Sequence, residues 1–358
     1  MNAAAAPPKA KGDIGRAHAE VAGPGRNCPL GYRYDPAVFA GAAPAALAGL
    51  EVLYVVGGLY GDELALARVL TLFRRERGRK ALVFNGDFHW FDVDPGVFER
   101  VQRGVLAHHA TRGNVETELA NRNADAGGED CGCAYPAWVD DAVVARSNQI
   151  MRRLRTATTG PQRAELAALP MWLRADVGEA RIGIVHGDAV SLAGWGFSQE
   201  AMSDPQHQAV VAGWFGAAQV DIFASTHSCL PVFQAIGVAP PSRAWWVANN
   251  GAAGLPNFAG DHYGLFTRIA LTPCEHGPRR FGIRRGAVSV DAIAIEIDVG
   301  ERRERFLKQW PPGSDGHASY FDRLSAGPRY QVMQALRTGA VGGAAASPET
   351  SAQPPLRS

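Results

Sequence analysis

The chain has 358 residues, of which 46% are hydrophobic, so it can bury a full core as one large domain or two small ones. Its 36 Lys and Arg residues balance 35 Asp and Glu residues, which argues against a nucleic-acid or anionic-membrane partner. No apolar run approaches the roughly 20 residues of a membrane span, and the N-terminus lacks the apolar core of a signal peptide. We therefore expect a cytoplasmic protein.

Composition divides the chain into three parts. Residues 1–26 are rich in Ala, Pro, Lys and Gly, and residues 336–358 are similarly biased, so both predict flexible tails. Residues 27–335 between them predict a single domain. A polar, glycine-rich loop followed by an amphipathic helical pattern predicts an inserted helical cap around residues 120–170.

Strand and helix patterns alternate along this domain. The apolar run LEVLYVV (50–56) precedes the helical pattern ELALARVLTLFRRERG (63–78), and the strand ALVFNGDF (81–88) precedes a helix from Pro95 to about Leu106. Further along come the helix 139–155, the strand RIGIVHGD, the helix 209–219 and the strand VDIFAS. The patterns AWWVANNG, YGLFTRIAL and VDAIAIEID predict a strand-rich second half. This order predicts an α/β fold with helices covering the sheets.

Four polar residues each follow an apolar run or lie in a glycine-bearing turn: Asp87, Asn114, His186 and His227. Ligands of α/β folds collect at the carboxyl ends of strands, so these side chains are candidates for a shared site. Each residue alone is more often a structural turn or a hydrogen-bonded histidine. Their order along the chain therefore carries the prediction.

That order resembles the calcineurin-like metallophosphoesterases. The matching segments are GGLYGDELAL, FNGDFHWFD, RGNVETEL, GIVHGD, FASTHSCLP and VANNGAAGLPNF, between about Leu50 and Asp298. The resemblance implies a four-layer α-β-β-α sandwich of two mixed sheets around a pair of metal ions. By the same resemblance, Asp87 would bridge the ions, Asn114 and His186 would bind the second, and His227 the first.

The chain departs from the family pattern at several ligand positions. Gly58 and Tyr60 stand where the family has the aspartate and histidine of its first motif, and Ser225 replaces the first histidine of Gly-His-x-His. Val115 stands where a histidine would assist the leaving group. By this count the first ion keeps two of four ligands and the second keeps three. We therefore expect one divalent ion, or two with replacement ligands; Mn or Fe would suit the site best, with Zn as an alternative.

Several nearby residues could replace the missing ligands. We rank Tyr60 and His89 first, followed by Asp62, with Asp92 and Asp188 as further candidates. Each also has a structural interpretation: Asp62 is well placed to cap a helix, and Tyr60 could pack over the vacated position.

The resemblance predicts a metal-dependent phosphoesterase that hydrolyses a small phosphate mono- or diester with metal-activated hydroxide. Arg112 and Arg146 are weaker candidates for binding the phosphate. The main alternative is a catalytically inactive binding or regulatory module that keeps the fold. A third is a metal-dependent hydrolase or lyase acting on a different group. We expect Cys131 and Cys133, separated by one residue, to be ordinary loop thiols.

Overall fold

The structure is a computed structural model, and it describes residues 24–121, 130–237 and 244–337. The predicted tails lie mostly outside the described residues, as do residues 122–129 of the predicted cap. Where their inner ends are described, they join the domain: the carbonyl of Gly25 accepts a hydrogen bond from the Tyr135 amide at 2.9 Å. Leu336–Arg337 form a short strand rather than part of a tail. Among the described residues, no helix has the length and apolarity needed to span a membrane.

Twelve strands form in the described residues. In chain order they are β1 Val52–Val56, β2 Lys80–Asn85, β3 His109–Thr111, β4 Trp172–Val177, β5 Ala180–Val185, β6 Ile222–Ser225, β7 Pro231–Ile236, β8 Trp245–Asn250, β9 Gly264–Ala270, β10 Arg279–Arg285, β11 Val288–Ile295 and β12 Leu336–Arg337.

The α-helices of the described residues connect these strands or follow them. They are α1 Glu63–Arg75, α2 Pro95–Leu106, α3 Asn114–Ala120, α4 Asp141–Thr156, α5 Gly160–Ala167, α6 Pro205–Ala218, α7 Val299–Gln309, α8 Asp315–Ala326 and α9 Val332–Ala335. Carboxylate side chains cap the N-termini of several of these helices. The Asp62 side chain accepts hydrogen bonds from the amides of Leu64 and Ala65, both at 2.9 Å, and so caps α1. Asp94 caps α2 ahead of Pro95 in the same way.

The strands make two six-stranded mixed sheets. The first has the order β10-β11-β9-β1-β2-β3, with β1, β2 and β3 parallel and the remaining neighbours antiparallel. The second has the order β12-β7-β8-β6-β5-β4, in which β5, β6 and β8 are parallel.

The alternation of side chains along each strand creates the layers. In β1, Val52, Tyr54 and Val56 pack with the apolar faces of α1 and α2, while Leu53 and Val55 pack against the second sheet. The outer face of the second sheet is covered by α6 and its aromatic residues. These three cores define four layers, helix, sheet, sheet and helix. The predicted α-β-β-α sandwich is thus confirmed.

Candidate metal centre

The carboxyl ends of the parallel strands from both sheets meet at one edge of the sandwich. Asp87 follows β2, Asn114 begins α3 just beyond β3, His186 follows β5 and His227 follows β6. Backbone hydrogen bonds join these turns: the amide of His227 donates to the carbonyl of His186 at 3.0 Å. Across the sheets, the side-chain amide of Asn85 donates to the carbonyl of Val185 at 2.6 Å.

The four side chains converge on one point. His186 Nε2 lies 3.3 Å from Asp87 Oδ2, 3.1 Å from Asn114 Oδ1 and 3.1 Å from His227 Nδ1. All four residues are buried. The resemblance assigned His227 to the first ion, Asn114 and His186 to the second, and Asp87 to both, whereas here a donor atom of each of the other three residues lies within 3.3 Å of His186 Nε2.

Two backbone carbonyls define which ring nitrogens face that position. The carbonyl of Asn85 lies 3.0 Å from His186 Nδ1, and the carbonyl of Cys133 lies 3.1 Å from His227 Nε2. A carbonyl only accepts, so each of these nitrogens carries the proton and the opposite nitrogen presents a lone pair. Two imidazole lone pairs therefore face each other at 3.1 Å, which requires a proton or a cation between them.

The ionisation of the cluster reflects the same crowding. Burial raises the pKa of Asp87, but the His186 charge and hydrogen bond, together with His227, outweigh burial and hold the pKa below its ordinary value. Burial lowers the pKa of His186, yet the Asp87 carboxylate raises it overall. Burial and the His186 charge lower the pKa of His227 to about 3. The protein alone therefore compensates the buried carboxylate with one imidazolium.

The separations from His186 Nε2 fit a metal ion in place of that proton. Ligands at about 2.0–2.2 Å from an ion lie roughly 2.9–3.6 Å from one another in tetrahedral or octahedral arrangements. The three separations from His186 Nε2, 3.1–3.3 Å, fall within this range. Two oxygens and two imidazole nitrogens suit a borderline divalent ion such as Mn, Fe or Zn.

Glu116 holds the Asp87 turn from below. Its buried carboxylate accepts hydrogen bonds from the backbone amides of Asp87 and Gly113 at 2.8 Å and of Phe88 at 3.0 Å. Burial, and then the charge of Asp87, raise the pKa of Glu116. The sequence alone does not reveal this role of Glu116, because an acidic residue early in a helix is expected to stabilise the first turn.

Left-handed backbone conformations mark the same edge. Tyr60, Asp87 and Cys229 have φ values of 56°, 50° and 61°, which cost free energy for residues other than glycine. Gly113 passes so close to Asp87 and His186 that a Cβ there would overlap both side chains. The chain thus accepts local strain to assemble this cluster.

The positions that depart from the family pattern are filled differently. Tyr60 is buried at the cluster, with its hydroxyl 2.8 Å from the Cys229 thiol. The Ser225 hydroxyl is buried and has no hydrogen-bond partner among the described residues. The Val115 side chain is buried, and its amide donates to Asp87 Oδ1 at 3.1 Å.

The structure does not bring the other four replacement candidates to the cluster. His89 is fully buried, stacks on Phe98 with centroids 3.7 Å apart, and lies 2.6 Å from a carboxylate oxygen of Asp92. Asp62 caps α1 and pairs with Arg302 at 2.9 Å. Asp188 accepts hydrogen bonds from three amides within its own loop.

The two candidate phosphate-binding arginines also lie elsewhere. Arg112 donates to the carbonyl of Ala167 at 3.3 Å and lines a separate groove beside Glu118. Arg146 donates to the Ser319 hydroxyl at 2.8 Å and so links α4 to α8. Neither arginine lines the cavity above the donor cluster.

The segment Cys131–Gly132–Cys133 covers one side of the cluster. The structure brings the sulfurs of Cys131 and Cys133 close together, because Gly132, at φ +66°, turns the chain between them. The carbonyl of Cys131 accepts from Asn114 Nδ2 at 2.9 Å, and that of Cys133 faces His227 Nε2. This loop therefore orients two of the four donors.

A cavity opens above the four donors. No lysine or arginine is among the described residues that line it, and aromatic rings make up much of its wall. The lining residues are Tyr60, Asp87, Trp90, Asn114, Val115, Cys133, Tyr135, Trp195, His227, Cys229 and Tyr320.

Comparison with known proteins supports the fold. No family model matches the sequence, and no curated protein matches it. Among solved structures, the chain is similar to a hypothetical protein from Pyrococcus horikoshii OT3, with 15% identity, a TM-score of 0.51 and coverage of 78% of this chain and 99% of that one. It is also similar to a metallophosphoesterase from Sphaerobacter thermophilus, with 14% identity, a TM-score of 0.49 and coverage of 77% and 100%. At these identities the likeness concerns the fold.

Proposed function

We propose that the chain is a metal-dependent phosphoesterase that works with a single divalent ion. Asp87, Asn114, His186 and His227 would hold that ion. The observation that carries this proposal is the convergence of three donor atoms on His186 Nε2 at 3.1–3.3 Å. The substrate would be a small phosphate mono- or diester, because no lysine or arginine is among the described residues that line the cavity, which therefore lacks a basic stripe to follow a nucleic acid.

A divalent ion held by these residues would supply Lewis-acid chemistry, polarising a phosphoryl oxygen and lowering the pKa of a water to near neutrality. The chain's own groups prepare the site for it. Glu116 fixes the turn that carries Asp87, and the carbonyls of Asn85 and Cys133 keep the facing nitrogens of His186 and His227 unprotonated once the ion replaces the proton.

Proton supply to the leaving group falls to other residues, since Val115 has no titratable group. Burial raises the pKa of Tyr60 well above its ordinary value, and burial raises that of Tyr320 to about 12. Both phenols line the cavity and keep their protons at neutral pH. A phenol is a weak acid, so we expect turnover on alkyl phosphates to be about a hundred- to ten-thousand-fold slower than with a matched general acid, and aryl phosphates to be less affected.

The second candidate is an inactive binding module with the same fold. The contact between Tyr60 and Cys229 favours it, because Tyr60 stands where the resemblance expects a ligand of the first ion and its hydroxyl contacts the Cys229 thiol instead. In that case the donor cluster would be a remnant held together by a shared proton.

Metal analysis and a substrate panel test the two candidates together. The protein should bind about one Mn, Fe or Zn ion per chain after purification or reconstitution and should hydrolyse an aryl phosphate mono- or diester. Less than about a tenth of an ion per chain, unrestored by added metal, would favour the binding module. A metal-loaded protein that is inert on the whole panel would argue against phosphoester chemistry.

A further inference from the structure

An aromatic wall, defined here as Tyr135, Trp138 and Trp195, runs from the donor cluster to the surface. We propose that this wall binds a planar aromatic ring, such as a nucleobase, in the part of the substrate that does not react. The proposal rests on the proposed function, which places the phosphate at the donor cluster, and it names the substrate class of that site.

Trp195 connects the wall to the cluster. Its ring centroid lies 5.2 Å from that of His227, at an interplanar angle of 73°. Its indole N–H donates to the carbonyl of Cys133 at 3.0 Å, the same carbonyl that faces His227 Nε2. The indole is therefore fixed beside a candidate metal ligand. An aromatic ring that packs on the indole would lie close to a phosphate bound at the donor cluster.

The other two rings extend this surface outward. Tyr135 lies 5.9 Å from Trp195, and its hydroxyl is held 2.9 Å from that of Ser147 on α4. Trp138 lies 6.5 Å from Trp195 in an edge-to-face arrangement. Both belong to the segment that the sequence analysis predicted to cap the site.

The exposure of Trp138 indicates that the outer end of the wall is free to bind a ligand. Trp138 is 60% exposed, although tryptophan is among the residues that fold most of their surface away from water. Tyr135 and Trp195 are half-buried. A large exposed aromatic side chain beside a largely apolar cavity that holds a few polar groups is typical of a ligand site.

The residues that line the cavity favour an aromatic ring over a second charged group in the substrate. With no lysine or arginine among its described lining residues, the cavity offers little to a polyphosphate or a sugar phosphate beyond the donor cluster itself. Aromatic faces, in contrast, bind any nucleobase by stacking, at about 1–3 kcal/mol per base. That range corresponds to a preference of roughly 5- to 150-fold in kcat/KM.

A matched pair of substrates isolates the ring. Adenosine 5′-monophosphate and ribose 5-phosphate share a phosphate on a primary alcohol and differ chiefly in the base. With metal-loaded protein, kcat/KM should be about 5- to 150-fold higher for the nucleotide. Trp138→Ala should lower that preference several-fold, because it should reduce kcat/KM for the nucleotide more than kcat/KM for ribose 5-phosphate. Met333→Ala, which removes another exposed apolar side chain, in α9, should leave both rates unchanged.

A binding measurement separates this proposal from the proposed function. Adenosine 5′-monophosphate should quench tryptophan fluorescence of the metal-loaded wild type, and less so that of Trp138→Ala, whereas ribose 5-phosphate should not. Quenching without hydrolysis of either compound would support the aromatic subsite and overturn the phosphoesterase. Equal hydrolysis of both compounds without quenching would overturn the subsite and leave the phosphoesterase standing. Inhibition by octyl phosphate at lower concentrations than by adenosine 5′-monophosphate would show an alkyl site and would also overturn the subsite.

Discussion

Two clusters of buried polar side chains in this molecule balance their buried negative charge in different ways. The first, called the back network here, consists of Tyr54, Glu76 and Arg268. Arg268 on β9 donates two hydrogen bonds to the Glu76 carboxylate, at 2.6 and 3.1 Å, and Tyr54 on β1 donates to the same carboxylate at 2.7 Å. Positive and negative charges match there. In the donor cluster of Asp87, Asn114, His186 and His227, four electron-pair donors crowd together and only a proton on an imidazole offsets the carboxylate.

The two clusters differ in whether their cationic side chain can lose its proton. A guanidinium does not lose its proton in proteins, so Arg268 keeps its charge and needs Glu76 at every ordinary pH. An imidazole can exchange its proton for a metal ion at neutral pH. The back network is therefore suited to stability, and the donor cluster is suited to an exchangeable cation.

Replacing the carboxylate of the donor cluster should produce the largest effect. Asp87→Asn keeps the oxygen that accepts from Val115 but removes the charge, so we expect bound metal to fall from about one ion to less than about a tenth per chain. Without metal, its free energy of unfolding at pH 8 should be about 1–3 kcal/mol below that of wild type, because the variant lacks the carboxylate that holds a proton between the facing nitrogens of His186 and His227. Metal analysis and urea unfolding in EDTA measure the two quantities.

Asp92→Asn provides the matched control for that variant. Asp92 is also buried and pairs with a histidine, His89, but that pair lies outside the donor cluster. The control should keep its metal. Loss of metal in Asp92→Asn but not in Asp87→Asn would show that the ion binds elsewhere.

Breaking the back network should lower stability and leave metal binding unchanged. Arg268→Met leaves the Glu76 carboxylate buried without its cation, which we expect to lower the free energy of unfolding by about 3–5 kcal/mol. Metal content should not change. Arg103→Met, which removes an exposed i,i+4 pair with Glu99, should cost less than about 0.5 kcal/mol. Equal destabilisation by the two arginine variants would contradict the structural role of the network.

Disturbing the loop over the donor cluster should have an intermediate effect. At φ +66° Gly132 disfavours a side chain, and a Cβ there would overlap Tyr32 and Glu118, so Gly132→Ala should displace the carbonyls that orient Asn114 and His227. We expect metal affinity to fall about ten- to a hundredfold, as for other outer-shell changes. Isothermal titration with Mn or Zn measures it.

Gly286→Ala is the control for backbone strain alone. Its φ is +58°, and no atom lies within 4 Å of the place that a Cβ would take, so the substitution strains the backbone without a clash. Its metal affinity should match wild type. A similar loss in both glycine variants would mean that general destabilisation, rather than carbonyl placement, weakens the site.

The sequence predicted the fold well because hydrophobic periodicity is a local signal. The runs at 50–56 and 81–88 became β1 and β2, and Asp87 follows β2 as expected. The predicted elements end at Asp298, whereas the chain continues into α7 and α8. Those helices bury few side chains, so their apolar pattern is weak.

The site was predictable only in part. The order of motifs selected four residues that the fold brings together, but it divided them between two ions, and only the fold shows His227 Nδ1 3.1 Å from His186 Nε2. Glu116, Trp195 and the carbonyls of the cysteine loop act through contacts between segments distant in sequence. No local pattern predicts such contacts.

The smallest expected effect concerns how the back network responds to acid. Burial raises the pKa of Glu76, but the hydrogen bonds from Arg268 and Tyr54 outweigh burial and hold it below 4.5. A carboxyl whose pKa is lower in the folded state stabilises the fold at pH values above its unfolded pKa, and that contribution is lost as the pH falls through the folded pKa. Wild type should therefore exceed Glu76→Gln in free energy of unfolding at pH 7, and the gap should narrow below about pH 4. Urea unfolding in EDTA at both pH values measures the gap; a gap that widens in acid would mean that Glu76 is protonated in the folded protein and that the network is not an ion pair.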